Sequence, residues 1–337
     1  MKVLVTGGAG YIGSHATLAL LKAGHEVVSL DNYCNSSPES LRRVARLAGR
    51  EARAVEGDLR DRTAVNRLFR EDRFDAVMHF AGLKAVNESV KKPQLYQENN
   101  VGGTRVLLEA MEGAGCRQLV FSSSCTVYGE VRSSPVSESH PRAAFNPYGQ
   151  TKLDIELLCE ALAKDDPSWR VALLRYFNPV GAHESGDIGE DPRGEPNNLM
   201  PYVMQVAVGR RERVSVWGGD YATHDGTCLR DFIHVMDLVD GHLKALDAIK
   251  SFKGAEPVNL GTGRAHSVLE LIAAASKAAG KRIPWIMGPR REGDAPAIWA
   301  DASLAKKKLG WTAARDLDAM CRDHFRWQSK NPEGYGA

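Results

Sequence analysis

The sequence lacks the features that mark several large classes of protein. No stretch approaches the length of an apolar membrane span, and neither an internal repeat nor a low-complexity tract is present. With 44 basic and 42 acidic residues the net charge is +2, so nothing favours nucleic acid as a partner. The six cysteines form no Cys-x-x-Cys pair and have no histidine cluster near them, which argues against disulfides and a structural zinc. We therefore expect no metal site, no membrane contact and no nucleic-acid partner.

The N-terminal stretch also lacks the charged and apolar regions of a signal peptide, because its short apolar run breaks into glycine at Gly7. We expect a cytoplasmic protein with reduced thiols. What is present is ordinary for a globular chain, with 43% apolar and 26% charged residues. A length of 337 residues is sufficient for a full core and indicates two domains.

The first strong signal is a strand, a glycine turn and a helix. Residues 2–5 are apolar, Gly7, Gly10 and Gly13 follow, and apolar residues then recur at helical spacing up to Lys22. This context is typical of a dinucleotide fingerprint, in which glycines permit a tight turn and helix N–H groups face a pyrophosphate. Asp31 follows the next predicted strand, where an acid can bind both ribose hydroxyls and repels a 2′-phosphate. This favours NAD over NADP.

Strands and helices continue to alternate, with predicted strands over residues 53–56, 74–80 and 118–121. The pattern predicts an α/β fold with a Rossmann-type doubly wound parallel sheet, and ligands bind such sheets beyond the carboxyl ends of the strands. Small or polar residues follow each strand there, as at Ala81, Gly82 and Ser124. Asp58 either binds the adenine amino group or caps the next helix, which we expect to begin near Arg62.

Tyr148 and Lys152 are four residues apart on a helix that Asn146 and Pro147 are expected to begin. An ammonium at roughly 4 Å is worth about 4 kcal/mol at an effective dielectric near 20. We therefore expect Lys152 to lower the pKa of the Tyr148 phenol, by about three units at most. Tyr148 would then act as a base, with Ser124 relaying a proton or orienting an alcohol.

The glycine fingerprint, Ser124 and the Tyr148–Lys152 pair together resemble the extended short-chain dehydrogenase/reductase superfamily. Within it the chain is similar to the UDP-glucose 4-epimerase family from end to end. The stretches that carry the resemblance are residues 6–15, 79–84, 121–124, 146–152, 175–182, 198–202, 230–238 and 291–294.

The resemblance implies an isomerase of galactose metabolism that interconverts UDP-galactose and UDP-glucose. Hydride leaves sugar carbon 4, the keto-sugar turns over, and the hydride returns to its opposite face, so NAD stays bound. The fingerprint and the resemblance assign catalysis to Ser124, Tyr148 and Lys152. They assign NAD binding to Gly7, Gly10, Tyr11, Ile12, Gly13, Asp31, Asn32, Asp58, Leu59, Phe80, Ala81, Gly82, Lys84, Asn99, Ser122, Tyr148, Lys152 and Tyr176.

The resemblance also implies where the nucleotide-sugar binds. Arg230 and Arg291 match the phosphate-binding arginines, and guanidinium groups fork onto phosphate oxygens. Beyond the catalytic residues and Lys84, which we also expect to contact substrate, the assigned positions are Asn178, Asn198, Leu199, Val216, Trp217, Arg230, Arg291, Asp294 and Ile298. Residues 1–178 are expected to form the NAD-binding domain. Residues 179–337 are expected to form a smaller nucleotide-sugar-binding domain, some of whose segments return to the first.

The chain departs from the family pattern at a few positions. Cys125 replaces the usual Ala, Phe232 the common Tyr, and Ile298 stands where some members have Tyr and others Cys or Ser. Since Ile is intermediate in size, we expect weaker activity on UDP-N-acetylhexosamines than on the plain sugars. The family also implies a homodimer.

Three other functions share part of this pattern. A nucleotide-sugar 4,6-dehydratase would carry an Asp-Glu pair where Cys125 and Thr126 stand. A carbonyl reductase that consumes NAD(P)H would not need the nucleotide-sugar motifs. A non-catalytic NAD-binding redox sensor would not need Ser124, Tyr148 and Lys152 together.

Overall fold

The computed structural model describes residues 1–131, 133–291 and 295–336. Its strands are β1 (Lys2–Thr6), β2 (Glu26–Asp31), β3 (Arg53–Glu56), β4 (Ala76–His79), β5 (Gln118–Ser124), β6 (Arg170–Tyr176), β7 (Asn178–Val180), β8 (Val214–Trp217), β9 (Leu229–Arg230), β10 (Phe232–His234), β11 (Gly254–Leu260), β12 (His266–Ser267), β13 (Trp285–Gly288) and β14 (Ala297–Ile298).

The α-helices are α1 (Tyr11–Lys22), α2 (Pro38–Ala48), α3 (Arg62–Glu71), α4 (Val86–Lys91), α5 (Pro93–Tyr96), α6 (Gly103–Gly113), α7 (Pro147–Asp165), α8 (Leu199–Ala207), α9 (Val235–Asp247), α10 (Val268–Ala279), α11 (Ser303–Leu309) and α12 (Leu317–Lys330). A π-helix, Gln97–Gly102, leads directly into α6. Within the described residues no helix combines the length and apolar character that a membrane crossing requires.

The chain divides into two compact units. The first comprises Met1–Gly129, Pro141–Arg175 and His242–Val258, and the second Glu130–His140, Tyr176–Gly241 and Asn259–Ala337. The predicted separation of NAD binding from nucleotide-sugar binding at residue 178 concerns function and stays a prediction.

The first unit is built on a seven-stranded sheet in the order β11-β6-β5-β4-β1-β2-β3. β1 pairs in parallel with β2 and β4, β2 with β3, and β4 with β5. The chain therefore winds outwards from β1 in one direction and then from β4 in the other, as predicted for a doubly wound sheet. The carboxyl ends of β1 and β4 form the switch point at which such sheets bind ligands. Apolar strand residues fill the core, among them Leu4, Val28, Val77, Leu119 and Leu173.

The second unit contains three small sheets, with β7 paired to β10, β8 to β13, and β9 between β12 and β14. Its core joins apolar residues of α8, α10 and α12 to those of β8 and β10, among them Met204, Val214, Phe232, Leu271 and Met320. A capping box begins α10, because the Ser267 hydroxyl accepts from the Glu270 N–H at 2.9 Å and the Glu270 carboxylate accepts from the Ser267 N–H at 2.7 Å.

Candidate active site

The glycine turn after β1 lies against the end of β4. Gly7 has φ +70° and donates its N–H to Leu30 at 2.8 Å. A Cβ at this position would lie 2.7 Å from the backbone nitrogen of Ala81. Glycine is therefore required both by the backbone angle and by the close approach of the two strand ends. Ala81 and its neighbour Phe80 thereby lie at the switch point, as predicted.

The third glycine of the fingerprint brings α1 close to the turn. A Cβ on Gly13 would lie 2.0 Å from the Gly7 carbonyl oxygen. Gly10 is the N-cap of α1, and Tyr11 and Ile12 are its first residues. The first N–H groups of a helix have no partner inside that helix and attract anions. The turn therefore suits a pyrophosphate that approaches the backbone.

Asp31, the last residue of β2, is 8% exposed and holds the same turn from the side. Its carboxylate accepts from the Ala9 N–H and the Tyr33 N–H, both at 2.9 Å, and from the Ser36 hydroxyl at 2.8 Å. A carboxylate has about four acceptor positions, so about one remains for a ribose hydroxyl. The predicted role in selecting NAD stays a prediction.

Asp58 does not cap α3. That cap is Asp61, whose carboxylate accepts from the Ala64 N–H at 3.0 Å, so the capping alternative for Asp58 is wrong. Asp58 accepts instead from the Arg60 backbone and guanidinium and, at 3.0 Å, from the Asn32 amide. The hydrogen bond from the Arg60 side chain holds the pKa of Asp58 well below its usual range. The Leu59 side chain belongs to the core, so only its backbone remains available to a ligand.

The loop after β4 is braced by Asn100, which the sequence analysis missed. Its side-chain oxygen accepts from the Leu83 N–H at 2.8 Å, and its amide donates to the Leu83 carbonyl at 2.9 Å and to Thr151 on α7 at 3.1 Å. The predicted Asn99 donates to the same Asn100 oxygen at 3.0 Å. Asn100 is thus buried between the loop and α7, and adjacent asparagines were the only signal in the sequence. Gly82 and the exposed Lys84 lie in this loop.

Ser124, Tyr148 and Lys152 meet where β5 ends and α7 begins. The Asn146 side chain caps α7 by accepting from the Gly149 N–H at 2.8 Å, which fixes Tyr148 in the first turn as predicted. The Ser124 hydroxyl is close enough to the Tyr148 phenol for its hydrogen-bonding effect to lower the pKa of that phenol. One turn further on, the Lys152 ammonium donates to the Ser122 carbonyl at 2.6 Å and lies 6.0 Å from the centroid of the Tyr148 ring.

Burial dominates the protonation of this pair. It raises the pKa of Tyr148 to about 12, against the lowering effect of the hydrogen bond with Ser124. Burial also lowers the pKa of Lys152 to about 8, although the charge of Glu156 opposes this. The prediction that Lys152 lowers the pKa of the Tyr148 phenol towards 7 is therefore wrong when only the charges of the protein are present. Lys152 remains close enough to stabilise a phenolate once one forms.

Thr126 orients the hydroxyl of Ser124. Its N–H and its hydroxyl donate to the Ser124 oxygen at 3.2 and 3.0 Å. Because both acceptor positions of Ser124 are then used, its own proton remains available for a hydrogen bond to another group. The sequence analysis noted Thr126 only because it is not a carboxylate.

The predicted nucleotide-sugar residues of the second unit fall into separate groups. Ile298 on β14 is the direct strand partner of Arg230 on β9, and the Arg230 guanidinium donates to the Ala295 carbonyl at 2.8 Å. The Arg291 guanidinium lies 5.1 Å from the ring centroid of Trp217, which is 38% exposed. The side chain of Val216 is in the core, so only its backbone can line a ligand.

The remaining predicted residues lie at element ends. Asn178 begins β7 and donates its N–H to Asp231 at 2.9 Å, and Tyr176 ends β6 as a buried side chain. Asn198 is the N-cap of α8, its amide donates to Glu190 at 3.2 Å, and Leu199 is the first helical residue. Asp294 lies outside the described residues. Among the residues that are described, no group of histidine, cysteine and carboxylate side chains could hold a metal ion.

Comparisons with known proteins agree with this geometry. The model of the NAD dependent epimerase/dehydratase family matches residues 3–261. UDP-glucose 4-epimerase 2 of Oryza sativa subsp. japonica is 57% identical over 99% of this chain and 83% of its own length. UDP-glucose 4-epimerase of Bacillus subtilis is 55% identical over 99% of both chains. The crystal structure of UDP-glucose 4-epimerase from Bifidobacterium longum, in complex with NAD+ and UDP, is 50% identical with a TM-score of 0.96, covering 99% of this chain and all of that one. The chain therefore belongs to the NAD dependent epimerase/dehydratase family, in which its full-length relatives are UDP-glucose 4-epimerases.

Proposed function

We propose that this protein interconverts UDP-galactose and UDP-glucose by inversion at sugar carbon 4 through a transient 4-keto sugar, with NAD held throughout. One observation carries the proposal: a Ser124–Tyr148–Lys152 constellation lies at the same carboxyl edge of the sheet as the glycine turn. The relatives named above, which are UDP-glucose 4-epimerases, support the substrate. The reaction belongs to galactose metabolism.

The residues at the switch point fit NAD. The positive φ of Gly7 forms the tight turn, and the missing Cβ of Gly13 lets the start of α1 pack directly against it. Gly7, Gly10 and Gly13 would hold the pyrophosphate, Asp31 and Asn32 the adenosine ribose, and Phe80, Ala81, Asn99 and Ser122 the remainder. When bound, NAD supplies the hydride acceptor and the positive charge of its nicotinamide ring.

Three side chains handle the proton of the sugar hydroxyl. Tyr148 takes that proton as the sugar is oxidised and returns it after the keto-sugar has turned over. Ser124 orients the hydroxyl, because Thr126 fixes its oxygen and directs its proton. The Lys152 ammonium, fixed on the Ser122 carbonyl, stabilises the phenolate that forms when Tyr148 is deprotonated.

The UDP moiety requires cations. Arg230 and Arg291 lie in the second unit beside residues of the predicted sugar and uracil contacts, Ile298 and Trp217. A guanidinium presents two parallel N–H donors to phosphate oxygens, which supports a role for both arginines on the diphosphate. Asn178, Asn198 and Leu199 are proposed to contact the sugar and the diphosphate.

Two further properties belong to the proposal. A cytoplasmic location is supported by the six cysteines, none of which forms a disulfide in the described residues. A homodimer is supported by exposed apolar side chains on two neighbouring helices of the first unit, Val90 on α4 and Leu157 on α7.

A 4,6-dehydratase is the main competitor, and the surroundings of Ser124 weigh against it. Elimination of water from the sugar needs an acid and a base in addition to the tyrosine. Cys125 and Thr126 occupy the expected carboxylate positions, and Thr126 is committed to Ser124. A redox sensor would not need a serine, a tyrosine and a lysine together at this edge.

The test uses purified protein with UDP-galactose and no added cofactor. We expect UDP-glucose to form over repeated turnovers without added NAD. Protein treated with acid should release about one NAD per chain. Tyr148→Phe should keep NAD and lose 10²–10⁴-fold in rate, the usual range for a missing general base. Tyr202→Phe is the matched control, because its ring packs under the Arg211 guanidinium at 4.5 Å and Phe keeps that contact.

Four outcomes would contradict the proposal. Absence of UDP-glucose would exclude the reaction, and a requirement for fresh NAD at each turnover would indicate a dehydrogenase. Stoichiometric NADP in place of NAD would refute the role of Asp31. An undiminished rate in Tyr148→Phe would place the base elsewhere.

A further inference from the structure

A buried carboxylate lies one helical turn beyond Lys152 on α7. Glu156 has no exposed surface and accepts four hydrogen bonds. One oxygen accepts from the Ser123 hydroxyl at 2.6 Å and from Arg175 Nε at 2.9 Å, and the other from Arg175 Nη2 at 2.6 Å and Arg142 Nη1 at 3.1 Å. Arg175 is itself only 1% exposed.

The donors come from three different places in the first unit. Ser123 immediately precedes Ser124 on β5, Arg175 is the penultimate residue of β6, and Arg142 lies in the segment before α7. Arg175 also donates to the Tyr128 hydroxyl at 3.1 Å and packs over that ring at 4.9 Å. Glu156 thus fastens the helix that carries Tyr148 and Lys152 to the strand that ends in Ser124.

We propose that Glu156 is a positioning residue, which through Ser123 and Arg175 holds α7 in the register that brings Tyr148 and Lys152 to Ser124. The inference rests on the proposed function, which assigns the proton chemistry to those three residues. A buried ion pair often contributes no more to stability than packed apolar side chains would. Glu156 lies one helical turn from Lys152 and binds Ser123, the neighbour of Ser124. We therefore infer that the ion pair serves to position the catalytic residues rather than to stabilise the fold.

Glu156 also acts on Lys152 through its charge. It lies on the same face of α7 as Lys152 and opposes the loss of the ammonium proton that burial favours. Its removal should therefore allow Lys152 to lose its proton at a lower pH. A purely structural role would not move that titration, which provides a readout separate from folding.

The experiment compares Glu156→Gln with Glu160→Gln. Glu160 lies one turn further along α7 and binds Arg142 at 2.7 and 3.1 Å, but it belongs to the outer part of the network and is partly exposed. For Glu156→Gln we expect kcat on UDP-galactose to fall by about 10- to 100-fold, since displacement of a reacting group by about 1 Å can cost 10²-fold. KM and NAD content should stay within about twofold, since Glu156 contacts neither ligand in the proposed site.

The alkaline limb of the kcat–pH profile should move to lower pH in Glu156→Gln and stay in place in Glu160→Gln. A kcat within about twofold of wild type, or a limb that does not move, would overturn the proposal. The proposal would also be overturned if Glu160→Gln lowered kcat and moved the alkaline limb as Glu156→Gln does. The loss of any carboxylate on α7 would then be sufficient to explain both changes.

Glu156→Gln leaves Arg175 without its counter-charge and can fail to fold. Ser123→Ala then provides the test, because it removes the 2.6 Å hydrogen bond to β5 and no charge. We expect kcat to fall by about three- to tenfold, with KM and the alkaline limb unchanged. A wild-type kcat in this variant would refute the positioning role. Failure of the wild-type protein to form UDP-glucose would instead refute the proposed function, so the two failures are distinguishable.

Discussion

Asp31 and Lys152 each have protein partners that a sequence cannot reveal. The carboxylate of Asp31 holds Ala9, Tyr33 and Ser36, so much of its hydrogen-bonding capacity serves the turn itself. Lys152 is bound to the Ser122 carbonyl and buried. Residue type and spacing indicated that both residues belong to the site. The pKa of Tyr148, however, is raised by burial, whereas the spacing predicted that it would be lowered. Desolvation depends on the packed environment, which spacing does not give.

Because the Lys152 ammonium is buried, the contribution of Lys152 to the free energy of unfolding should depend on pH. The pKa of Lys152 is about 8 in the folded protein and 10.5 in its unperturbed form. Below pH 8 both states are protonated, and the folded state bears the full cost of burial. Between pH 8 and 10.5 the unfolded chain binds more protons, so this cost is relieved as the pH rises.

Lys152→Met should therefore gain stability relative to wild type at pH 7, and this relative gain should shrink by up to about 3 kcal/mol by pH 10.5. Urea unfolding across this range, at matched NAD content, measures the difference. Lys164→Met, exposed on the same helix, should show no such trend. A difference between Lys152→Met and wild type that is constant with pH would contradict the assignment.

At the scale of elements, features that depend on a few neighbouring residues, such as a helix cap, were predicted correctly. One strand, β6, was not predicted. The cap of α7 follows from neighbouring residues, and this prediction is confirmed. α1 begins at Tyr11, inside the glycine fingerprint, because the Ser14 N–H bonds to the Gly10 carbonyl at 2.9 Å. β6 was not predicted, since a short buried apolar run has no period that separates strand from helix. Arg175 on that strand, and with it the Glu156 network, was therefore missed.

The pairing of β9 with β14 gives the expected specificity of Ile298 a structural basis. Direct partners in a parallel pair project to the same face, so Ile298 is beside Arg230, the proposed diphosphate ligand. An apolar contact of this size discriminates by roughly 10- to 200-fold. Wild-type protein should act measurably but more weakly on UDP-N-acetylglucosamine than on UDP-glucose.

Ile298→Ser should raise the relative kcat/KM for the acetylated sugar, and Ile298→Tyr should nearly abolish it, since the ring would fill the space for the acetyl group. Ala297→Ser is the matched control, because neighbouring strand residues face opposite sides. Competition assays with both sugars measure the ratio. If every variant loses stability while the ratio stays constant, Ile298 is a packing residue.

At the scale of the whole molecule, the sequence predicted the class of fold, which is confirmed, and the edge of the sheet at which we propose that NAD binds. Both depend on the order of strands and helices, which the chain displays directly. It did not reveal that residues 130–140 belong with the second unit, because nothing local marks such an exchange. Partners distant in sequence, such as Asn100 with Thr151, were likewise beyond a reading of neighbours.

The homodimer is the prediction that depends on the whole surface of the chain. Val90 on α4 is 62% exposed, Leu157 on α7 is 46% exposed, and the two helices pack against each other. Apolar side chains in such a position lose contact with water when a second copy covers them. Light scattering after size-exclusion chromatography should give about twice the chain mass of 36.8 kDa.

Val90→Glu with Leu157→Glu should shift the protein towards monomer, because two carboxylates would be buried without partners. Ile286→Glu, at an apolar position on β13 that is 43% exposed, should leave the dimer intact. A wild-type monomer would refute the dimer, and a dimer that survives the α4 and α7 substitutions but not Ile286→Glu would place the interface on β13.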